Sequence, residues 1–242
     1  MIIEFDRPLI FFKTRKTGST SVEAALEATL WGRSPDHGKQ ASIYGNGFVT
    51  GRPRNFRSLK RQLSGLPKMV MYFGRYGCRP AESASFARLR PHDPPEKIMA
   101  MVPSGVWERA HKIAVVRNPW DKVVSDFFWE SRGTNLAADL TTAFEAYVSR
   151  SLPWPVEEQV PRLLDPTWTL LRFETLERDF CRLTQALGLG EHRSLLPQFK
   201  SNVRPPGTDY RDVHTAFTRE VVAVNWSDWI QTFDYSFGEK LP

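Results

Sequence analysis

Lysines, hydroxyl residues and a glycine crowd into Lys13-Thr-Arg-Lys-Thr-Gly-Ser-Thr-Ser21, between an apolar run and a helical pattern. The N–H groups that open a helix, together with the positive end of its dipole, make such a corner an anion site. Gly18 lets the backbone approach an anion closely. Ser19, Thr20 and Ser21 add hydroxyl donors, and Lys16 adds a mobile positive charge. The spacing is not that of a nucleoside-triphosphate loop, G-x-x-x-x-G-K-[ST], because Lys16 stands two residues before Gly18 and not after it. Taken alone, the segment reads equally as a Ser/Thr-rich helix cap with incidental lysines.

A second corner lies at Val115-Val-Arg-Asn-Pro-Trp-Asp-Lys-Val-Val-Ser125. Arg117 ends a predicted strand, where ligands bind in open α/β sheets. Asn118 is placed to cap the next helix, Pro119 suits its first position, and Asp121 sits near its positive end. Ser125, seven residues past Asn118, returns to the cap's helix face after about two turns. A guanidinium and a hydroxyl from one corner suit a terminal phosphate. A buried Arg117 bracing the strand end, with Ser125 as packing, is the other reading.

The elements that must position these residues alternate. Residues 8–13, 112–116 and 169–173 read as buried strands. The first helix follows with Ser21 or Thr20 as its cap and Glu23 in its first turn. Helices also follow the second and third strands, the third ending at Gly188 or Gly190. Residues 94–110 read as a short helix broken near Pro103 and then a turn, 69–74 as a possible strand, and 217–235 as helical and aromatic. This pattern predicts an α/β fold: a single domain over 1–242 with a central parallel sheet flanked by helices and a P-loop-like strand–loop–helix. Residues 32–90 form a loop-rich excursion. The aromatic cluster Trp226, Trp229, Phe233, Tyr235 and Phe237 reads as core packing.

At this point a family resemblance becomes specific. Lys16-Thr-Gly-Ser-Thr-Ser21 is similar to the 5′-phosphosulfate loop of sulfotransferases that use 3′-phosphoadenosine 5′-phosphosulfate (PAPS), most of all to the P-K-T-G-G-T-S form of the carbohydrate branch. Arg15 stands for the proline and Ser19 for the second glycine. The Arg117-to-Ser125 segment resembles the 3′-phosphate motif of the same family, R-N-P-x-D-(K/R)-x-x-S. Residues 170–189 and the ending Phe233-Asp-Tyr-Ser-Phe237 resemble the later core of that branch.

The resemblance implies PAPS as donor, 3′-phosphoadenosine 5′-phosphate (PAP) as product and a hydroxyl acceptor. It implies donor contacts from Arg15, Lys16, Thr17, Gly18, Ser19, Thr20, Ser21, Arg117 and Ser125. Arg204, in the basic loop Lys200–Gly207, joins them because related enzymes close such a segment over the 3′-phosphate. Sulfuryl transfer needs in-line geometry, a cation at the leaving oxygen and a base for the acceptor hydroxyl. Lys16 is the candidate cation, with Lys13 second. His92 is the candidate base, because similar carbohydrate enzymes place a histidine there and an imidazole pKa suits the task; Asp93 and Glu96 stand behind it.

The net charge of +6 is unevenly spread. Residues 31–90 hold twelve basic and two acidic residues, whereas residues 121–242 hold thirteen basic and eighteen acidic. A basic half predicts an anionic ligand, here an acidic glycan as acceptor. Nucleic-acid binding is weighed and not expected, since the segment carries no recognised motif and little aromatic interleaving. An NTP enzyme on a similar sheet lacks its loop spacing. Cys78 and Cys181 suggest neither a disulfide scaffold nor a zinc site, and no His/Cys cluster has metal-ligand spacing. With no membrane span or signal peptide visible, a cytoplasmic location is expected.

Overall fold

The computed structural model describes residues 2–4, 9–31, 92–100, 102, 104–133, 139–151, 168–189, 196–197 and 203–238. The predicted strand at 69–74 and the basic excursion at 32–90 lie outside the described residues, as do His37, His192 and Cys78.

Three strands, β2 (Leu9–Phe12), β3 (His111–Val116) and β4 (Trp168–Arg172), run parallel. β1 (Ile2–Glu4) pairs antiparallel along β2, giving the order β1-β2-β3-β4. The opening stretch therefore supplies two strands where the apolar pattern suggested one. Phe12 pairs with Ala114, and Val116 with Arg172. The residues that follow, Lys13, Arg117 and Phe173, thus emerge at one edge of the sheet.

Alternation along the strands decides which helices pack where. Ile10, Phe12, Ala114 and Val116 face one core with α4 (Pro119–Glu130), α5 (Leu140–Ser151), α8 (Ala216–Asn225) and α9 (Ser227–Phe233). Leu9, Phe11, Ile113, Val115 and Leu171 face the other with α1 (Ser19–Trp31) and α6 (Leu176–Ala186). Both faces are covered, which is why LIFF and HKIAVV are near-continuous apolar runs. The fold is α/β, a parallel sheet flanked by helices, as the strand–helix alternation predicts. Short helices α2 (Pro95–Met99), α3 (Ser104–Arg109) and α7 (Tyr210–Val213), with a 3-10 turn at Phe173–Thr175, complete the described elements.

Several boundaries differ from the sequence expectation. α1 begins at Ser19, so neither Ser21 nor Thr20 is its cap and Glu23 stands beyond the first turn. The cause is Gly18, whose carbonyl already accepts from the Ser21 and Val22 amides at 2.9 and 3.4 Å. Residues 104–109 form a helix instead of a turn. The aromatic stretch 217–235 breaks at Trp226 into α8 and α9. Trp226, Trp229, Phe233 and Tyr235 are buried in the core, as expected, with Phe237 packed against them.

α4 starts as its sequence dictates. Asn118 Oδ1 accepts from the Trp120 and Asp121 amides, and Pro119 takes the first helical position. Asn118 also ties distant segments together: its own amide donates to Glu174 Oε1 at 2.6 Å, and its Nδ2 donates to the Ser236 carbonyl at 3.1 Å. Asn118→Ala therefore loses a cap and a cross-link and is expected to lower the unfolding free energy by about 1–2 kcal/mol. Urea denaturation checks this, and a loss below about 0.3 kcal/mol contradicts it.

Candidate functional site

The loop after β2 is held by its own hydroxyls. Thr14 Oγ1 donates to the Val115 carbonyl at 2.6 Å, which commits its proton to β3. The 2.6 Å contact between Thr14 Oγ1 and Thr17 Oγ1 is therefore a donation from Thr17. Ser19 Oγ donates to the Thr14 carbonyl at 2.6 Å. Ser19, expected as a hydroxyl donor to an anion, and Thr17, expected as a donor contact, direct their hydroxyl protons into the loop. Both are buried, as is Ser21; Thr20 is half-buried and Arg15 exposed.

The loop backbone has a shape of its own. Lys16 and Gly18 have φ of +58° and +74°, while Thr17 between them does not. Alternating handedness of this kind turns successive N–H groups toward a common concavity, and the start of α1 adds its own amides. Gly18 is also required for space, because a Cβ there would lie 3.0 Å from two carbons of the Phe173 ring. Ser19 occupies the first helical residue, so its replacement of the family's second glycine carries no backbone strain.

Arg117 joins this loop to the second corner. Its Nη1 donates to the Lys16 carbonyl at 2.9 Å, and its Nε and Nη2 reach Asp121 Oδ2 at 2.7 and 2.6 Å. The guanidinium lies 3.8 Å from the centre of the Phe173 ring. Arg204 Nη2 meets the other oxygen, Asp121 Oδ1, at 2.6 Å and the Asp121 carbonyl at 3.2 Å. Two arginines remote in sequence thus share one buried carboxylate. Burial pushes the Asp121 carboxyl up, but the two guanidiniums outweigh it and hold it below its usual range. Three of the five Arg117 N–H groups are used in these contacts, leaving one on each terminal nitrogen. Ser125 is half-buried one turn beyond Asp121, on the same stripe of α4.

His92 reaches the loop from the other side. Its Nδ1 lies 2.6 Å from the Lys13 carbonyl, which can only accept. Nδ1 therefore carries the proton and Nε2 keeps its lone pair. The residue is exposed at the surface while its Nδ1 side is packed on the loop. Desolvation, together with the Lys13 and Arg15 charges, lowers its pKa to about 4 against the opposing carbonyl bond. Asp93 pairs with Lys97 at 2.9 Å, and Glu96 is exposed. Lys13 does not reach the anion corner as a free cation: it pairs with buried Glu23 at 2.5 Å. Burial raises the Glu23 carboxyl, but Lys13 outweighs it and the pKa falls to about 2.

Sequence reasoning missed several residues here. Asp121 was read as a dipole partner, although its four-residue spacing from Arg117 signals an ion pair on a helix start. Thr14 and Glu174 carry no local signal; their partners lie on other strands and helices. Lys122 is buried with its ammonium 4.4 Å over Trp226 and 5.1 Å over Trp229. Desolvation lowers its pKa to about 7, against the attraction of Asp126. A recess of about 490 Å³ lies elsewhere, along α6, lined by Glu177, Arg178, Cys181, Arg182 and Gln185.

No family model matches the chain, and no curated protein matches it. Among solved structures, the crystal structure of retinol dehydratase in complex with androsterone and inactive cofactor PAP is similar. It shares 14% identity over 96% of this chain and 83% of that one, with a TM-score of 0.48. Among the described residues no group of three His, Cys, Asp or Glu is placed to hold a metal, and no helix is long and apolar enough to cross a membrane.

His92 and buried His214 both have pKa values lowered to about 4, with burial the main cause. The unfolded chain binds these protons below about 6.5, whereas the folded chain does not until about 4. Stability is therefore expected to fall as pH drops through that window. Nitrogen-detected NMR should show both rings neutral at pH 6, with His92 protonated at Nδ1; a His92 midpoint near 6.5 contradicts the geometry.

Proposed function

We propose that this chain is a sulfotransferase that moves the sulfuryl group of PAPS to a hydroxyl, releasing PAP, as a single domain over residues 1–242. One observation carries the reading. Arg117 holds the carbonyl of Lys16 and shares Asp121 with Arg204, so a phosphate loop and a paired-arginine corner meet at one edge of the sheet. The α4 stripe Asp121–Ser125–Trp129 runs from the arginines to the Lys16 ammonium, a rise of about 12 Å over eight residues. Two cationic stations along one stripe suit a nucleotide with anionic groups at both its 5′ and 3′ positions.

In this reading the amides of residues 17–20 bind the 5′-phosphosulfate, while Arg117, Ser125 and Arg204 bind the 3′-phosphate. The acceptor oxygen attacks sulfur in line, forming one S–O bond as the S–O bond to the 5′-phosphate breaks. Lys16 stabilises the charge that grows on the leaving phosphate oxygen. His92, oriented by its Nδ1–H bond to the Lys13 carbonyl, takes the acceptor proton on Nε2. The positive charge carried by residues 32–90 favours an acidic glycan as the acceptor.

The test is transfer of a radiolabelled sulfuryl group from PAPS to a panel of uronate-bearing glycans beside neutral sugars and phenols. Label on the glycans supports the reading; label only on phenols contradicts the acceptor assignment. Lys16→Met and His92→Asn are each expected to cut the rate by about 100-fold or more, with PAP affinity little changed in His92→Asn and weakened in Lys16→Met. Because the His92 pKa is about 4, the acid limb of the rate profile should lie well below 6.5. An acid limb at 6.5 contradicts His92 as the base in this setting.

A further inference from the structure

We propose that Trp129 is the positioning residue for the Lys16 ammonium, an inference that rests on the donor reading above. Lys16 is an unusual place for a flexible side chain to start. Its backbone is left-handed, and its carbonyl is fixed by Arg117, so its Cα has little freedom. The ammonium itself lies at the end of four torsions, and a charge acts on a leaving group only when it is held in place. Trp129 supplies that hold from the opposite element. Its ring lies 4.5 Å from Lys16 Nζ, one turn past Ser125 on the α4 stripe that also carries Asp121.

The chemistry of the contact fits the role. A carboxylate partner neutralises a lysine, as Glu23 does for Lys13. A ring face attracts the cation through its quadrupole without contributing an opposite formal charge. Trp129 is itself braced by Arg132, whose guanidinium lies 3.2 Å from the ring centre and whose Nε donates to the Trp129 carbonyl at 2.6 Å.

The test reads Lys16 directly and needs no acceptor. An amine-reactive acyl reagent is applied across pH 7–10 to wild type, Trp129→Phe and Trp129→Leu, and Lys16 acylation is followed by mass spectrometry. Loss of the ring contact destabilises the ammonium, so Lys16 labelling near neutral pH should rise about two- to fivefold in Trp129→Leu and its pH profile should shift downward. Trp129→Phe should restore part of the difference, and Lys13 labelling, the internal control for a general loosening, should not change. Calorimetry with PAP alongside should show affinity within about twofold of wild type. An unchanged Lys16 profile in Trp129→Leu overturns the inference. So does a parallel rise at Lys13, which marks a folding defect. If wild type does not bind PAP, the donor reading fails while the Lys16 profile still decides this one.

Discussion

Asp121 is the residue on which the site depends. Its two oxygens are divided between Arg117 and Arg204, which come from β3 and from a segment more than eighty residues later. Two guanidiniums and the Asp121 carboxylate, with Glu174 near enough to act on Arg117, concentrate charge at this corner. Such a charge is tolerable only because every partner is paired or hydrogen-bonded. Removing Asp121 would leave two cations facing each other out of water, a heavier penalty than removing either arginine. The corner is thus built before any ligand arrives, and the geometry is set by the protein's own ion pairs.

The loop after β2 follows the same logic of pre-assembly. Its threonine and serine hydroxyls are used inward, tying residues 14–19 to one another and to β3. Its amides are turned outward by the left-handed residues Lys16 and Gly18. Phe173, at the end of β4, packs against both the Gly18 backbone and the Arg117 guanidinium. Three strand ends therefore contribute to one site: β2 the loop, β3 the arginine, β4 the ring beneath both. Lys122, one residue after Asp121, packs against Trp226 and Trp229, and the Arg15 and Arg117 charges add to the burial that lowers its pKa.

Much of this was legible in the residues. Runs such as LIFF and HKIAVV announce strands buried on both faces, and Asn118-Pro119 announces a helix start, because those signals are local. The start of α1 was misjudged by two residues, since the left-handed Gly18 sets the boundary and φ is not written in side-chain type. The roles of Thr17 and Ser19 were also hidden: a hydroxyl near an anion loop looks like a ligand donor until its acceptor across the sheet is known. Arg204 could be named as a contact, but that it meets Arg117 on a single carboxylate is a property of tertiary packing. Of the two readings offered for Arg117, the brace is visible in the structure: one N–H holds the loop at the Lys16 carbonyl and two hold Asp121.

The central claim is that one edge of the sheet binds a nucleotide through both its 5′ and its 3′ ends. Titration calorimetry of the protein with PAP, AMP and ATP tests it most directly. The account predicts PAP binding about 100-fold or more tighter than AMP, because the 3′-phosphate adds charge-assisted hydrogen bonds from the arginine corner, and loss of that advantage in Arg117→Ala. Equal affinity for PAP and AMP, or a preference for ATP, would contradict it.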